Sequence, residues 1–188
     1  MIWKNKKIAL SIVLLLGVVS ASSYVFYRHR QTLGNVTIQR YATGDDQMIR
    51  TFFKDNWYWM VGDECVDFSL DYVLTHMVSS NRPQDARPLT IDMLYKDKKT
   101  IAFIMYFQKD SFNGKILFVG VQQNWRGHGY SGKLTQHALK TLCAQGCINV
   151  EIVTRVQNTS AQAAYVKAGF VEIARDNTYV TLMYKCPR

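Results

Sequence analysis

The chain opens with an apolar segment that has basic residues on both sides. Residues 8–27 contain no charged side chain, three lysines precede them, and Arg28 and Arg30 follow. A helix of about 20 apolar residues is long enough to cross a bilayer. The pattern therefore predicts an N-terminal membrane anchor over residues 1–31.

A cleaved signal peptide is the alternative, and the sequence leaves it open. Val19 and Ala21 satisfy the small-residue requirement of a signal peptidase site. The anchor is favoured because apolar and aromatic residues resume from Tyr24 to Tyr27 and a basic stop follows at once. Both flanks are basic, so charge does not decide the membrane orientation.

Alternating and helical patterns follow one another through residues 32–188, which we interpret as one domain. Val36–Tyr41 alternates as a strand does. A first helix is expected to begin at Asp45 or Asp46 and a second at Ser69, because these side chains commonly cap helices. The expected buried residues are Met48, Ile49, Phe52 and Phe53 in the first helix, and Leu70, Val73, Leu74 and Met77 in the second.

Three closely spaced strands predict an antiparallel meander. A loop over Ser79–Pro88 precedes them, and a turn ending at Asn113-Gly114 separates the last two. The middle strand is apolar on both faces, so we expect it to be covered on both. The expected strands are Leu89–Tyr95, Thr100–Gln108 and Lys115–Val121.

The last third of the chain alternates helices and strands. A helix over Gly129–Cys143 leads to a strand over Ile148–Thr154, which should run parallel to the strand before the helix. Gly169 can end the next helix in the left-handed conformation. The remaining expected elements are a helix over Ser160–Ala168 and strands near Phe170–Ala174 and Thr178–Tyr184. The pattern predicts a mixed, mainly antiparallel α/β sheet of six to seven strands with about four helices.

Composition and charge indicate whether nucleic acid is an expected partner. The chain is 48% hydrophobic and 20% charged, which is ordinary for a packed domain. Its formal net charge is +9, but five of the 23 basic residues flank the apolar segment. The remainder is too mildly basic to predict nucleic-acid binding.

The cysteines and histidines predict neither a disulfide framework nor a metal site. Cys65, Cys143, Cys147 and Cys186 are few and scattered, and no zinc-type spacing occurs. We interpret all four as free thiols, which is compatible with a reducing compartment.

Glycines cluster between a predicted strand and a predicted helix. The segment from Val121 to Gly132 holds three glycines in its last six residues. Backbone amides in such a loop can bind a phosphate together with the helix N-terminus. On spacing alone, a tight strand-to-helix turn explains the glycines equally well. The segment matches neither a dinucleotide-binding fingerprint nor a P-loop.

A second motif places this loop in a family context. The loop reads Arg126-Gly127-His128-Gly129-Tyr130-Ser131, and beyond the next strand come Asn158, Ala161, Tyr165, Gly169 and Phe170. Together they resemble the GNAT superfamily of N-acetyltransferases. That family's acetyl-CoA loop reads Arg/Gln-x-x-Gly-x-Gly/Ala, and its later signature reads Asn-x-x-Ala-x-x-x-Tyr-x-x-x-Gly-Phe. Ser131 departs from this pattern but is nearly as small as Gly or Ala.

The resemblance implies a GNAT-like fold and acetyl-CoA as co-substrate, and the spacing of the cysteines and histidines predicts no metal. Tyr165 matches the family's general acid; a buried aromatic on its helix is the alternative. Asn158 is expected near the coenzyme or the substrate, or as a helix cap. The residues that the resemblance assigns to coenzyme binding are Val121, Arg126, Gly127, His128, Gly129, Tyr130, Ser131, Gly132 and Asn158.

The general base and the acceptor site are less clearly marked. Many members of the family use a carboxylate on the strand before the loop, but Lys115–Val121 has none. Glu151 on the next strand is the nearest candidate, and an exposed strand carboxylate or a water chain is the alternative. Trp57, Tyr58 and Trp59 lie between the first two helices, where the family usually builds its acceptor site. At least one of them is expected to pack in the core or contact the membrane surface instead.

The resemblance implies an enzyme that transfers an acetyl group from acetyl-CoA to a primary amine of a small molecule or a protein. A catalytically silent, membrane-tethered module that binds CoA or a partner is the alternative. Because acetyl-CoA is held inside cells, we expect the domain to face the cytoplasm. Export after signal cleavage is the alternative.

Overall fold

The computed structural model describes residues 36–187 apart from Thr43, Asp63 and Val66. The predicted anchor over residues 1–31 lies outside the described residues. Within the described part of the chain, no helix is long and apolar enough to cross a membrane.

A seven-stranded mixed sheet forms the centre of the domain, in the order β1-β2-β3-β4-β5-β7-β6. The β2–β3, β3–β4, β5–β7 and β6–β7 pairs are antiparallel, and β4–β5 is parallel. The predicted meander and the predicted parallel unit are both confirmed. The strands are β1 Val36–Arg40, β2 Thr90–Lys96, β3 Lys99–Gln108, β4 Asn113–Val121, β5 Asn149–Arg155, β6 Val171–Arg175 and β7 Tyr179–Lys185.

The turn before β4 differs from the prediction. Asn113 and Gly114 belong to β4 rather than to the turn. The Asp110 carboxylate accepts hydrogen bonds from the backbone N–H groups of Phe112 and Asn113, both at 2.9 Å. These bonds complete the turn earlier in the chain.

Five α-helices are described, one more than expected. They are α1 Asp46–Asp55, α2 Trp57–Met60, α3 Leu70–His76, α4 Tyr130–Ala144 and α5 Thr159–Lys167, and Gln123–Trp125 forms a 3-10 turn. The additional helix, α2, is a single turn, too short to show a helical repeat in the sequence.

The predicted caps have different outcomes. Ser69 caps α3 as predicted, because its Oγ accepts a hydrogen bond from the Tyr72 N–H at 3.3 Å. Asp45 precedes α1, but its carboxylate accepts from the Ala42 N–H at 3.0 Å instead of from the helix. Gly169 has φ +99 and follows Ala168, the residue that caps the end of α5, as the prediction of a left-handed helix end requires.

The core lies on both faces of the sheet, with β3 at its centre. Residues 101–106 of β3 are at most 1% exposed. One cluster joins the apolar faces of α1 and α3 to the sheet through Ile49, Phe53 and Val73. On α4, Leu134, Ala138, Leu139 and Leu142 are buried as predicted, and this helix contacts β2, β3, β4 and β5.

The interpretation of all four cysteines as free thiols is wrong for two of them. Cys143, near the end of α4, forms a disulfide with Cys186, which follows β7. Their Cα atoms are 5.6 Å apart, an ordinary distance for a disulfide. Cys65 is exposed and free, and Cys147 is buried and free. The two paired residues are 43 positions apart, so only the docking of α4 against the sheet brings them together.

Gly120 on β4 permits close aromatic packing, and we expect Gly120→Ala to destabilise the domain. A Cβ there would lie 2.3 Å from the Phe103 ring and 2.9 Å from the Phe52 ring. Overpacking of this kind costs about 1–3 kcal/mol of unfolding free energy, measurable by urea denaturation. Gly132→Ala is the control, because a Cβ on Gly132 meets no atom within 4 Å. Equal stability of the two variants would contradict the expectation.

Candidate functional site

A cavity of about 660 Å³ opens where β4 and β5 separate. The two strands pair only between residues 113–116 and residues 149–152. The later parts of both strands line the cavity instead, together with the ends of α1, α2, α4 and α5. The lining residues include Leu117, Phe118, Val119 and Val121 from β4 and Val153 and Thr154 from β5.

A β-bulge in β4 lies where the two strands part. Met105 of β3 pairs with Phe118, but the next residue, Tyr106, pairs with Ile116, so Leu117 is the extra residue. A bulge bends its strand and commonly occurs beside functional sites. Beyond it, β4 has an unpaired edge in the cavity, where backbone N–H groups are available to a ligand.

The glycine loop joins this open edge to the N-terminus of α4. Gly127 and Gly129 have φ +78 and φ +81, so both adopt the left-handed conformation that favours glycine. Gly129 immediately precedes α4, whose first-turn N–H groups and helix dipole attract anions. Gly127, Gly129, Tyr130 and Ser131 line the cavity, whereas His128 and Gly132 are absent from its lining.

Arg126 holds the loop in place. Its Nε donates to the Val121 carbonyl oxygen at 3.0 Å, and its Nη2 donates to Asn56 Oδ1 at 3.0 Å. The side chain therefore ties the loop to the end of β4 and to the residue after α1. The His128 side chain contacts the backbone of the loop itself, because its Nδ1 lies 2.8 Å from the Arg126 carbonyl oxygen.

Tyr130 is a buried support beneath the loop. Its side chain is 1% exposed, and Lys96 Nζ donates to its hydroxyl at 3.3 Å. The Lys96 ammonium also lies 4.8 Å from the centre of the Trp125 ring. These contacts fix the start of α4 against β2.

Asn158 both caps α5 and lines the cavity. Its Oδ1 accepts a hydrogen bond from the Ala161 N–H at 3.3 Å. Gln162 steadies the same turn, because its Nε2 donates to the carbonyl oxygens of Arg155 and Val156 at 3.1 and 2.8 Å. The expected helix cap at Asn158 is thus observed, and its place in the cavity leaves it available to a ligand.

Tyr165 lines the cavity from α5. Its side chain is 9% exposed, and its hydroxyl has no hydrogen-bond partner among the described residues. Burial raises the pKa of Tyr165 to about 12. The phenol is therefore protonated at neutral pH and can donate a hydrogen bond or a proton to a group in the cavity.

The structure places Glu151 away from this cavity. Its carboxylate forms ion pairs with Lys115 Nζ at 2.7 Å and Lys109 Nζ at 3.8 Å. It also lies in the part of β5 that pairs with β4, before the strands separate. No carboxylate or histidine occurs among the described residues that line the cavity, and these residues hold no cluster of metal-ligating side chains.

Of the three neighbouring aromatics suggested for the acceptor site, only Trp59 lines the cavity. Trp57 packs against Phe68 at a ring distance of 6.1 Å. Sequence analysis missed Phe52, Asn56 and Met60, which also line the cavity. Phe52 was expected in the core, and nothing in the local pattern shows that a core residue also borders a cavity.

Comparison with known proteins identifies the family of this chain. Residues 47–170 match the model of the Acetyltransferase (GNAT) family. Because the match spans more than half of the chain, the chain belongs to this family. A curated relative, N-alpha-acetyltransferase MAK3 of Arabidopsis thaliana, is 32% identical over 76 residues. That alignment spans 40% of this chain and 40% of the relative.

Solved structures share the fold at low sequence identity. The ribosomal-protein-S18-alanine N-acetyltransferase of Escherichia coli has a TM-score of 0.63 and 16% identity, covering 81% of this chain and 95% of that one. A spermidine N-acetyltransferase of Vibrio cholerae, in complex with CoA and spermine, has a TM-score of 0.63 and 12% identity, covering 80% and 95%. The predicted GNAT-like fold of the domain is confirmed.

Proposed function

We propose, from the premise that this chain belongs to the GNAT acetyltransferase family, that it transfers an acetyl group from acetyl-CoA to a primary amine. The observation that carries the proposal is that the glycine loop, the open edge of β4 and Tyr165 all line the same cavity. An anion site, a row of backbone donors and a protonated phenol are the groups that this transfer needs.

The residues that line the cavity fit acetyl-CoA. Amides of the glycine loop and the first turn of α4 would hold its pyrophosphate, and the unpaired edge of β4 would hold its extended arm. Bound there, acetyl-CoA supplies an activated thioester. Arg126 and Tyr130 support the loop rather than provide the anion site by themselves.

Two groups of this chain would act on the reacting atoms. Backbone N–H groups on β4 donate to the oxygen that becomes negative as the neutral amine attacks the thioester carbonyl. Tyr165 donates its proton to the departing sulfur, and its raised pKa keeps that proton on the phenol at neutral pH. The proton lost by the amine passes to water in this scheme, because Glu151 is held by two lysines elsewhere.

A second candidate function is a catalytically silent module that binds CoA or a partner. The ion pairing of Glu151 outside the cavity favours it. Calorimetric titration of the full chain with acetyl-CoA, followed by turnover assays with a broad panel of amines, separates the candidates. Binding with turnover supports the enzyme, binding without turnover supports the module, and no binding contradicts both coenzyme proposals.

Gly129→Val should weaken acetyl-CoA binding at least tenfold, which corresponds to about 1.4 kcal/mol. A valine at φ +81 strains the turn, and its side chain would occupy the open space in front of the α4 amides. Calorimetric affinity and thermal unfolding are measured on the same purified variant.

Gly146→Val is the matched control for that strain. Gly146 follows the other end of α4 and has φ +96, and a Cβ there would likewise meet no atom within 4 Å. Both variants should lose about 1–2 kcal/mol of stability, but only Gly129→Val should lose affinity. If Gly129→Val folds and keeps the parent's affinity for acetyl-CoA, the glycines serve only to form the turn.

We also propose that residues 8–27 anchor the chain in a membrane, with the domain on the cytoplasmic side where acetyl-CoA is held. The Cys143–Cys186 disulfide favours the alternative, a domain outside the cytoplasm, because disulfides are rare in cytosolic proteins. Protease treatment of intact cells tests the proposal. Protection of the domain supports the cytoplasmic side, and cleavage supports an anchored domain outside the cytoplasm. A domain released from the cells supports export after signal cleavage.

A further inference from the structure

A buried guanidinium lies at the end of β5, next to the cavity. The side chain of Arg155 is 6% exposed. Its Nε donates to the Tyr58 carbonyl oxygen at 2.7 Å, and its Nη2 lies 2.9 Å from both carboxylate oxygens of Glu64. Arg155 thus ties the end of β5 to α2 and to the loop that follows α2.

Two tyrosines and a glycine enclose the guanidinium. Its central carbon lies 4.1 Å from the centre of the Tyr58 ring and 5.3 Å from that of Tyr179. The Tyr179 hydroxyl donates to Glu64. Gly62 passes so close that a Cβ there would lie 1.9 Å from Arg155 Nη2. We call Arg155, Tyr58, Glu64, Tyr179 and Gly62 the Arg155 latch.

The latch is intact over the working pH range of a protein. The Tyr179 hydroxyl and the Arg155 guanidinium lower the pKa of Glu64 to about 2. Burial and the Glu64 carboxylate raise the pKa of Tyr179 to about 12. Neither group titrates between these limits, so the charges that hold the Arg155 latch together do not change over that range.

This connection holds a segment that has little support of its own. α2 is a single turn without a fully buried residue, and an isolated turn of helix is unstable. Trp59 and Met60 follow Tyr58 directly and both line the cavity. Trp59 is nevertheless 45% exposed, so its ring presents a large apolar surface to solvent or to a ligand.

The wall formed by Trp59 and Met60 belongs to none of the elements that would hold the coenzyme. Acetyl-CoA is proposed to occupy the α4 N-terminus and the open edge of β4. Phe52 and Phe118 add further apolar surface to the same cavity. An apolar group on the acceptor would be shielded from water by contact with this wall. A charged group would meet no opposite charge among the described side chains of the wall.

We propose that Arg155 is a positioning residue that holds Trp59 and Met60 as an apolar wall, and that the accepted amine carries an apolar group next to its amino nitrogen. This inference rests on the proposed acetyl transfer. An apolar group that fills such a wall is worth about 10- to 200-fold in kcat/KM over a polar group of similar size.

The test uses the full chain with two nearly isosteric amines, leucinamide and asparaginamide, and with pentapeptides that begin with Leu or Asn. The parent should prefer the Leu acceptors at least about tenfold in kcat/KM. Arg155→Met should raise the acceptor KM and abolish this preference, with the acetyl-CoA affinity unchanged. Arg155→Lys should not restore it, because an ammonium lacks the planar fork that bonds and stacks here.

Arg82→Met is the matched control, because it also removes an arginine–carboxylate pair, with Asp67 at 3.1 Å, but at an exposed site in the loop before β2. This control variant should keep the parent's acceptor KM and the parent's preference for Leu acceptors. If Arg155→Met does not fold, Tyr179→Phe removes only the hydroxyl of the latch and should shift KM in the same direction. Hydrogen exchange at residues 57–62 should be faster in both latch variants than in the control.

The outcomes separate this inference from the proposed function. A parent that turns over Leu and Asn acceptors equally would overturn the apolar acceptor. Unchanged KM and unchanged exchange in both latch variants, or a parallel loss of acetyl-CoA affinity, would overturn the positioning role. A parent that acetylates none of these acceptors but acetylates another amine of the broad panel overturns the apolar acceptor alone. A parent that acetylates no amine of that panel contradicts the proposed function, and hydrogen exchange at α2 then decides whether Arg155 holds the wall.

Discussion

Tyr165→Phe is expected to lower kcat by about 10²- to 10⁴-fold while leaving the affinity for acetyl-CoA nearly unchanged. The phenol lines the cavity, has no partner among the described residues, and has a pKa raised to about 12 by burial. The substitution removes only the proton donor and keeps the ring that packs 6.1 Å from Phe170. Steady-state kinetics and calorimetric titration of the same variant check the result.

Tyr184→Phe is the control for the loss of a tyrosine hydroxyl. Tyr184 also packs against Phe170, at a ring distance of 5.7 Å, but is absent from the cavity lining. It should keep the parent's kcat. A Tyr165→Phe enzyme with the parent's kcat would show that the phenol is only a buried aromatic of α5.

The pH dependence of kcat follows from the same pKa. Because the pKa of Tyr165 is raised, the proton donor is present below about pH 12 and is lost only as the pH rises through that value. An unperturbed tyrosine has a pKa of about 10. Because the pKa of Tyr165 is higher, loss of its proton should not lower kcat between pH 7 and about pH 10. A descending limb in that range that Tyr165→Phe removed would contradict the assignment.

Reduction of the Cys143–Cys186 disulfide is expected to lower the free energy of unfolding by about 4 kcal/mol. The chain-entropy relation gives this value for a loop of 43 residues. The bond joins the end of α4 to the segment after β7, so its loss frees both in the unfolded chain. Urea denaturation with and without a reductant measures the difference.

Cys186→Ser should lose the same stability and should no longer respond to the reductant. Cys65→Ser is the control, because Cys65 is exposed and free, and it should retain the full response. Thiol titration of the unreduced, unfolded chain should find two free thiols. Four free thiols, or equal stability in both redox states, would contradict the disulfide.

Local patterns were sufficient where a residue's role depends on its near neighbours. The alternation of β1, the Ser69 cap and the glycine that ends α5 are all interactions within a few residues, and each is confirmed. The all-apolar β3 predicted a strand covered on both faces for the same reason. The one-turn helix α2 lacked enough residues to show any period, and it was missed.

The site required long-range contacts. Glu151 was the candidate base because it lies on the next strand, but the parallel pairing of β4 and β5 sets it beside Lys115. The bulge at Leu117 and the separation of the two strands leave no sign in composition, because a bulge is defined by the register of a partner strand. Arg155 likewise has the sequence pattern of an ordinary strand end.

The sequence by itself determined the order of the strands and of the longer helices, the apolar faces that they bury and the two motifs that place the chain near the GNAT family. Those properties depend on periodicity and on residues only a few positions apart. The tertiary structure alone decided which strands separate to open the cavity, which cysteines pair and what encloses Arg155. Each of these depends on groups far apart in the chain, such as Cys143 and Cys186 or Glu64 and Tyr179, which meet only once the sheet is assembled and its helices are docked.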